Sequence, residues 1–186
     1  LFSNSSGQLS LRLQIPQKAG VVLEPELPWE SASGYYYNTV IRMNSTHVFL
    51  YYDCGPLGTS DLGLRFACLA ISLDDGRTFH KPELGIAAFN SSTANNIVWP
   101  LSDQRWTMHS HGVVFKDERP GCPVTEKIKM LAFWGGLKGD NSTPPGLWVL
   151  GSSDGINFNV LRSSTGPAVP QKYMKAKGFG SANLVV

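Results

Sequence analysis

Four asparagines stand in the acceptor pattern Asn-x-Ser/Thr, in which a sugar chain can be attached to the side-chain amide. They are Asn4, Asn44, Asn90 and Asn141. Each lies among Gly, Ser or Pro residues that favour surface turns, where an attached sugar remains in solvent. One match is close to chance, but four in 186 residues indicate a secreted, N-glycosylated protein.

The three cysteines, Cys54, Cys68 and Cys122, are odd in number, so at least one lacks an internal partner. Their spacing contains no zinc-like CxxC pair. Cys54 ends the apolar run HVFLYYDC and Cys68 lies in the next such run. A hairpin folded about residue 61 brings the two together, so we predict a Cys54–Cys68 disulfide. The alternative is three buried thiols that act as small apolar side chains.

Other types of reactive site are not indicated by the sequence. His109 and His111 alternate in an extended segment and project to the same side of it, but two histidines without a third ligand make a poor metal site. No Gly-rich phosphate loop or nucleophile motif is present, so we expect no cofactor and no metal.

The balance of charge also limits the partners. Sixteen basic and fourteen acidic residues without a run of like charge argue against nucleic acid and against an anionic membrane surface. The chain has no apolar span long enough for a signal or transmembrane segment. We therefore expect the secretory leader of this protein to lie outside the sequence.

Tight turns between short strands must position these residues. Leu64 to Ser72 is an apolar run of strand length, followed by Asp74-Asp75-Gly76 and then by Thr78 and Phe79. Aspartate carboxylates accept hydrogen bonds from the amides of a turn, and Gly76 can adopt a positive φ. The segment 64–85 is therefore predicted to be a hairpin, whose second strand begins at Arg77. A similar Asp-Gly turn follows Ser152, and helix should be scarce throughout the chain.

A sequence pattern typical of four consecutive strands occurs twice along the chain. Its starts are Asn38-Thr-Val-Ile, His111-Gly-Val-Val and Asn183-Leu-Val-Val, which follow one another at nearly equal spacing. Such a repeat predicts an all-β fold, a β-propeller of four-stranded antiparallel blades, with about two and a half blades in this chain. A β-sandwich of eight or nine strands is the alternative, although it does not explain the repeat.

The repeat divides the chain into four parts. They are an N-terminal part with an edge strand at 9–15 and an extended loop (1–34), the first blade (35–84), a connecting loop with the second blade (85–162), and the start of a third blade (163–186). A propeller needs at least four blades. We therefore expect further sequence or another chain to supply the remaining blades, with self-association as one route.

The order of several short motifs resembles that of the five-bladed propellers related to glycoside hydrolase families 32 and 43. The motifs are PWES, YYNTVIR, FLYYD, LAISLDDGRTFHKPELGI, NNIVW, GVVFKDE, KMLAFWGG and LGSSDGINF. SLDDGRTF also matches the Asp-box pattern SxDxGxTF of propeller turns, and SSDGINF is a version one residue shorter. The resemblance spans about residue 24 to the end of the sequence.

The resemblance implies that glycans bind in a funnel on the central axis, where the innermost strands begin. The side chains placed there are hydrogen-bonding groups suited to sugar hydroxyls, namely Tyr37, Asn38, His109, His111, Ser181 and Asn183. Trp29 precedes the first inner strand, and its indole face could stack on a sugar ring.

Glycoside hydrolysis needs two carboxyl groups, one to protonate the leaving oxygen and one to act as nucleophile or base. The resemblance implies an aspartate near the start of YYNTVIR, where this chain has Tyr37 and Asn38. Glu30 and Asp117 are the nearest candidates, with Glu118 beside the second. Two functions follow from these observations: a secreted glycan-binding or glycan-hydrolysing propeller, or a non-catalytic extracellular glycoprotein that serves binding or assembly.

Overall fold

A computed structural model describes residues 14–30, 36–55, 66–99, 113–134, 144–161 and 166–170. Its strands in chain order are β1 (Tyr36–Arg42), β2 (Val48–Cys54), β3 (Phe66–Ser72), β4 (Ile97–Trp99), β5 (Val113–Lys116), β6 (Ile128–Trp134), β7 (Gly146–Ser152), β8 (Asn159–Val160) and β9 (Val169–Pro170). One short 3₁₀ helix, Val124–Glu126, precedes β6. The all-β prediction is confirmed for these residues.

The strands form two antiparallel sheets. The first sheet has the order β1-β2-β3-β4, and the second has the order β5-β6-β7-β8, with β9 also paired to β7. Sequential strands are neighbours in both sheets, as tight turns between them require. The up-and-down order that the sequence predicts is therefore present in each sheet from its first to its third strand.

The two sheets repeat each other in register. Val48 pairs with Ser72 in the first sheet, and Ile128 pairs with Ser152 in the second. Ile128 follows Val48 by the same number of residues as Ser152 follows Ser72. At the inner strands, Arg42 pairs with Val48 and Lys116 with Ile128, which makes Lys116 the counterpart of Arg42. The sequence alignment of Asn38 with His111 would instead match Arg42 with Phe115, so the predicted offset of the inner strands is one position short.

The outer edge of each sheet is completed in two pieces. His80 pairs with Ile71 at one half of β3, and β4 pairs with the other half, where Trp99 faces Ala67. In the second sheet, β8 and β9 divide the edge of β7 at the corresponding positions. Each sheet therefore has its own irregular fourth strand of the same form, in addition to three equivalent regular strands.

This division differs from the sequence prediction. We expected a full strand from Arg77 onward, but only His80 pairs with β3, because Pro82 has no N–H to donate to a continued ladder. β4 comes instead from the passage that was predicted to be a connecting loop. The predicted N-terminal strand lies mostly outside the described residues, and Gln14 and Ile15 at its end are not in a strand.

One apolar cluster lies between the two sheets. The first sheet contributes Ile41, Phe49, Tyr51, Ala67, Leu69, Val98 and Trp99. The second sheet and its last turn contribute Val114, Ile128, Met130, Ala132, Trp148, Leu150 and Phe158. Burial of this apolar surface holds the sheets together face to face.

A second apolar cluster covers the opposite face of the first sheet. Its buried members are Leu50, Tyr52, Cys54, Phe66, Cys68, Ala70, Ala87 and Ile97, and the extended segment 23–29 packs on them. Cys54 and Cys68 are joined in a disulfide, the pairing that the sequence predicts, with Cα atoms 5.9 Å apart. The first sheet is thus buried on both faces.

The sheets use non-equivalent faces to pack on each other. Tyr51 and Leu69 of the first sheet point toward the second sheet. Their equivalents in the second repeat are Leu131 and Val149, which point away from the first sheet because Met130 and Leu150 point toward it. The packing is therefore head-to-tail, with the front of one repeat against the back of the next.

Candidate functional site

A buried network of polar side chains surrounds Glu30 on the covered face of the first sheet. The Oε2 atom of Glu30 accepts hydrogen bonds from Lys81 Nζ at 2.8 Å and from the backbone N–H groups of Glu26 and Leu27 at 2.9 Å each. Its Oε1 atom accepts a bond of 2.6 Å from the hydroxyl group of Tyr52. Four donors therefore occupy the carboxylate.

The network continues through Asn96, which precedes β4. Its amide nitrogen donates to the Tyr52 hydroxyl group at 2.7 Å and to the carbonyl oxygen of Leu69 at 2.8 Å. Its amide oxygen accepts a hydrogen bond of 2.8 Å from the indole N–H of Trp29. We call Trp29, Glu30, Tyr52, Lys81 and Asn96 the Glu30 network, and it connects the N-terminal segment with β2, β3 and β4.

The network keeps Glu30 ionised. Burial alone would raise the pKa of this carboxyl group. Hydrogen bonds from Lys81, Tyr52 and the backbone lower the pKa by a larger amount, so it lies below the ordinary value of 4.5. The Glu30 side chain has no exposed surface, and that of Lys81 is 6 % exposed. Because an acid catalyst must carry a proton near neutral pH, this environment is opposite to the one that such a catalyst needs.

Trp29 packs rather than presenting a free indole face. Its ring meets Phe89 edge to face, with centroids 5.8 Å apart, and Phe89 meets Phe66 in the same way. Trp29 is half-buried against the cluster on this side of the first sheet. The Asn96 bond fixes its indole N–H, so the orientation of the ring is set from both its apolar and its polar side.

A shallow cleft of about 210 Å³ lies beside the Glu30 network. The extended segment 21–26 forms one wall, and residues 79–81 form the other. Lys81 also lines the cleft, and its ammonium group donates to the carbonyl oxygen of Glu24 at 2.6 Å and lies 3.2 Å from the carboxylate of Glu26. These contacts tie the two walls together.

Asp117 lies in a separate cluster at the end of β5. Its carboxylate accepts hydrogen bonds from Arg119 at 2.8 Å and 2.6 Å and also from Lys129 on β6. These two cations hold the pKa of Asp117 far below its usual range. The thiol of Cys122 lies 3.5 Å from the Lys129 ammonium group, and Glu126 lies 3.7 Å from it.

The two candidate carboxylates are thus engaged by different partners on different sheets. Glu30 bonds to residues of the first sheet and its N-terminal cover, and Asp117 bonds to residues of the second sheet. They share no hydrogen-bonding partner. The described residues do not bring Glu30 and Asp117 together into an acid–base pair.

The remaining sugar-contact candidates lie at or beyond the edges of the described chain. Asn38 is exposed near the start of β1, and the backbone of Tyr37 belongs to the same strand. The other members, His109, His111, Ser181 and Asn183, lie outside the described residues. These assignments stay predictions, as does that of Glu118, which is exposed after β5.

Two of the four glycosylation candidates are described, and both are exposed in turns. In the turn between β1 and β2, the Oδ1 atom of Asn44 accepts hydrogen bonds from the N–H groups of Thr46 and His47, at 3.0 Å and 2.8 Å. Asn90 and Ser91 have positive φ values of 48° and 65° and form the centre of a two-residue turn closed by Phe89 and Ser92. Asn4 and Asn141 lie outside the described residues.

The two aspartate turns have nearly the same geometry, and each begins at a buried serine. In the first turn, Ser72 Oγ donates to Asp74 at 2.7 Å and accepts the Gly76 N–H at 2.8 Å. Asp74 accepts the N–H of Thr78 at 2.9 Å and its hydroxyl group at 2.7 Å, and these bonds lower its pKa. The Asp74 carboxylate therefore holds the turn by accepting hydrogen bonds from residues on both sides of it.

The second turn repeats these bonds with different residues. Ser152 Oγ donates to Asp154 at 2.8 Å and accepts the Gly155 N–H at 2.9 Å. Burial raises the pKa of Asp154, but hydrogen bonds from Asn157, Ile156 and Ser152 bring it to about 2. The predicted equivalence of the two turns is therefore present in the hydrogen bonds.

Sequence reasoning did not identify Lys81, Tyr52 or Asn96 as members of the Glu30 network. Lys81 is 51 residues away along the chain, and Tyr52 is 22 residues away. No motif spacing connects such positions, because β-sheet pairing brings them together. The sequence showed only that Lys81 soon follows the first aspartate turn, and no pattern in it connects Lys81 with the PWES segment.

Further types of site can be assessed within the described part of the chain. It contains no group of three or more His, Cys, Asp or Glu residues arranged to hold a metal ion. None of its helices is long and apolar enough to cross a membrane. Comparison of the chain with protein-family models, with curated proteins and with solved structures finds no match.

Proposed function

We propose that this chain is part of an extracellular β-propeller of the type related to glycoside hydrolase families 32 and 43, and that it binds glycans at the axial end where β1 and β5 begin. Glu30 and Asp117 stabilise the scaffold in this proposal. The observation that carries it is the head-to-tail packing of two sheets that repeat each other in register.

Head-to-tail packing favours a propeller over a sandwich for a physical reason. Two repeats related by a two-fold axis bury equivalent faces, which closes the assembly as a sandwich. Here the front of the first sheet meets the back of the second, and this relation can be repeated around an axis. Each further repeat adds the same interface, as in a propeller whose blades all pack alike.

The inner strands support the same arrangement. β1 and β5, the first strands of their sheets, lie next to each other. The ammonium group of Lys116 at the end of β5 donates to the carbonyl oxygen of Arg42 at the end of β1. Matching strand ends therefore meet, which supports inner strands that run in the same direction and begin at the same end.

Among the residues that the sequence predicts for sugar contacts, Asn38 supports glycan binding at that end. Asn38 is exposed there, and amide groups both donate to and accept from hydroxyl groups. The two candidate acids, in contrast, are ionised and fully engaged by neighbouring cations and amides. This engagement favours glycan binding over hydrolysis by Glu30 and Asp117, and it also supports a non-catalytic extracellular module as the second candidate.

The test is a binding and turnover assay of the purified chain against a panel of plant and microbial glycans. We expect binding to at least one glycan, and we expect the Asn38→Ala, His111→Ala double variant to bind it about tenfold more weakly, a difference near 1.4 kcal/mol. Val40→Ala is the matched control, because Val40 is 63 % exposed two residues along β1.

Two results would overturn the proposal. One is the absence of binding to every glycan in the panel by a folded protein. The other is unchanged affinity in the double variant, which would place the ligand elsewhere. Turnover that Glu30→Gln abolishes without loss of folding would instead assign catalysis to the Glu30 network.

A further inference from the structure

The outer face of the second sheet, formed by Val113, Leu131, Leu147 and Val149, is apolar but only half-buried. Val113, Leu131 and Val149 lie in one row, because each pairs with the next across β5, β6 and β7. These residues belong to neither of the two apolar clusters of the described chain. A row of incompletely buried apolar side chains across three strands is a candidate interaction surface.

The equivalent row in the first sheet shows how such a face is used. Tyr51 and Leu69 are the counterparts of Leu131 and Val149, and they are 1 % and 0 % exposed. The second sheet packs on them and covers them completely. The outer face of the second sheet is therefore the same surface one repeat later, with the same strand order and register.

From this relation we propose that the outer face binds a third sheet, and that residues 182–186 are the first strand of that sheet. This inference rests on the propeller arrangement proposed above and is independent of glycan binding. Residues 182–186 lie outside the described part of the chain. Their sequence, Asn183-Leu-Val-Val, matches the start of β5 in the repeat.

The repeat also predicts which side chains make the contact. Val114 is the β5 residue that is buried against the first sheet, and its counterpart in the third repeat is Val186. In the proposed strand Leu184 would share a face with Val186, because alternate residues of a strand point to the same side, and Val185 would point to the other side. On the second sheet, the counterpart of Ile41 is Phe115, which lies on the outer face beside Val113.

Part of the outer face is already occupied, which defines the remaining docking area. Leu161 covers Gly151, where an added Cβ atom would meet its side chain at 2.9 Å. Asp117 and Glu126 surround Lys129, which pairs with Gly151 and therefore lies at the same end of the face. The apolar row of Val113, Leu131 and Val149 is the next row along the strands from this covered end, and it is the part of the face that a further layer can contact.

Disulfide trapping in the complete chain tests this proposal. In a Cys122→Ser background, Phe115→Cys is combined with Val186→Cys, and cross-links are identified by mass spectrometry of peptides prepared without reductant. The matched control combines Phe115→Cys with Val185→Cys. We expect an intramolecular cross-link with position 186 and its loss with position 185, because a disulfide requires Cβ atoms about 4 Å apart.

A second pair, Leu131→Cys with Leu184→Cys, replaces the first if Phe115→Cys prevents folding. Equal cross-linking at positions 185 and 186 would overturn the proposal, because no fixed strand face would exist. The absence of any cross-link in folded variants of both pairs would do the same. Cross-links between two molecules would assign the outer face to a second copy of the chain. None of these readouts depends on a glycan, so each separates this inference from the proposed function.

Discussion

The hydroxyl group of Tyr51 on β2 donates a hydrogen bond of 2.7 Å to the carbonyl oxygen of Gly155, 104 residues later in the turn after β7. Burial raises the pKa of Tyr51, and the negative charge of Asp154 raises it further, so the phenol keeps its proton and remains a donor. This bond connects the centre of the first sheet with the rim of the second. It makes the second aspartate turn part of the interface between the sheets.

Replacing Tyr51 with Phe tests this connection. The variant leaves the buried carbonyl group of Gly155 without its donor, and we expect the free energy of unfolding to fall by about 1–3 kcal/mol. Urea denaturation followed by fluorescence measures the change. Val40→Ala on exposed β1 surface is the control and should change stability by less than about 0.5 kcal/mol. A Tyr51→Phe variant as stable as the wild type would show that the bond contributes nothing.

The two turn glycines offer a matched pair of substitutions. Gly155 and Gly76 both have positive φ, at 76° and 85°, so alanine is strained by a similar amount at each. At Gly155 the added Cβ atom would also lie 2.5 Å from Tyr51 Oη, whereas at Gly76 it meets no atom within 4 Å. We expect Gly155→Ala to cost about 1–3 kcal/mol more than Gly76→Ala.

Thermal unfolding of both glycine variants, under the same conditions, measures this difference. Equal losses of stability would mean that backbone strain alone determines the effect. That result would contradict a close contact between Tyr51 and the second turn.

The Glu30 network predicts a pH dependence of stability. The pKa of Glu30 is lower in the folded protein than its ordinary value of 4.5, so the unfolded chain binds the proton more tightly. The stabilisation is fully present above pH 4.5 and is lost as the pH falls through the folded pKa. We expect Glu30→Gln to remove this part of the acid sensitivity, so that its stability changes less between neutral and acidic pH.

At neutral pH the same substitution should cost about 3 kcal/mol, because it removes the fully buried carboxylate from the Lys81 ammonium group, which keeps the more exposed Glu26 carboxylate at 3.2 Å. Glu83→Gln, at an exposed position nearby, is the control and should keep the wild-type pH profile. Chemical denaturation at several pH values gives both quantities. A Glu30→Gln variant with the full acid sensitivity of the wild type would assign that sensitivity to other carboxyl groups.

The disulfide between Cys54 and Cys68 closes a loop with a sequence separation of 14 residues. A cross-link of this span stabilises a protein by about 3 kcal/mol, chiefly through the entropy of the unfolded chain. We expect the Cys54→Ser, Cys68→Ser variant to unfold at a correspondingly lower temperature. Thiol titration in denaturant should find one free thiol, that of Cys122, and three free thiols would contradict the pairing.

The exposed acceptor asparagines predict sugar attachment. Expression in a eukaryotic secretory host should yield glycosylated protein, and removal of N-linked sugars should lower its mass. Asn44→Gln should remove one attached chain, because Asn44 is exposed and holds its turn through Oδ1 rather than through the amide nitrogen that carries the sugar. Asn38→Gln, outside any acceptor pattern, is the control. An unchanged mass distribution in Asn44→Gln would show that this site is not used.

Local chemistry explains which features could be predicted from sequence. The Ser72 and Ser152 turns were predictable because serine, aspartate and glycine close together in the chain determine their own hydrogen bonds. The Cys54 pairing followed from two adjacent strands joined by one turn. Long-range contacts were not predictable in this way. The pairing of β4 with β3 depends on Pro82 ending the earlier strand, and the partners of Glu30 meet only once three strands have assembled.

The divided outer edges also affect how the protein avoids aggregation. A long exposed edge strand offers a row of free N–H and C=O groups that can pair with another molecule and nucleate fibrils. Here the edge pieces are three residues in β4 and two residues each in β8 and β9, with Pro82 and Pro170 beside or within them. Such short, proline-interrupted edges are poor templates for further strands. The irregular fourth strand of each repeat therefore protects the protein against intermolecular β-sheet growth.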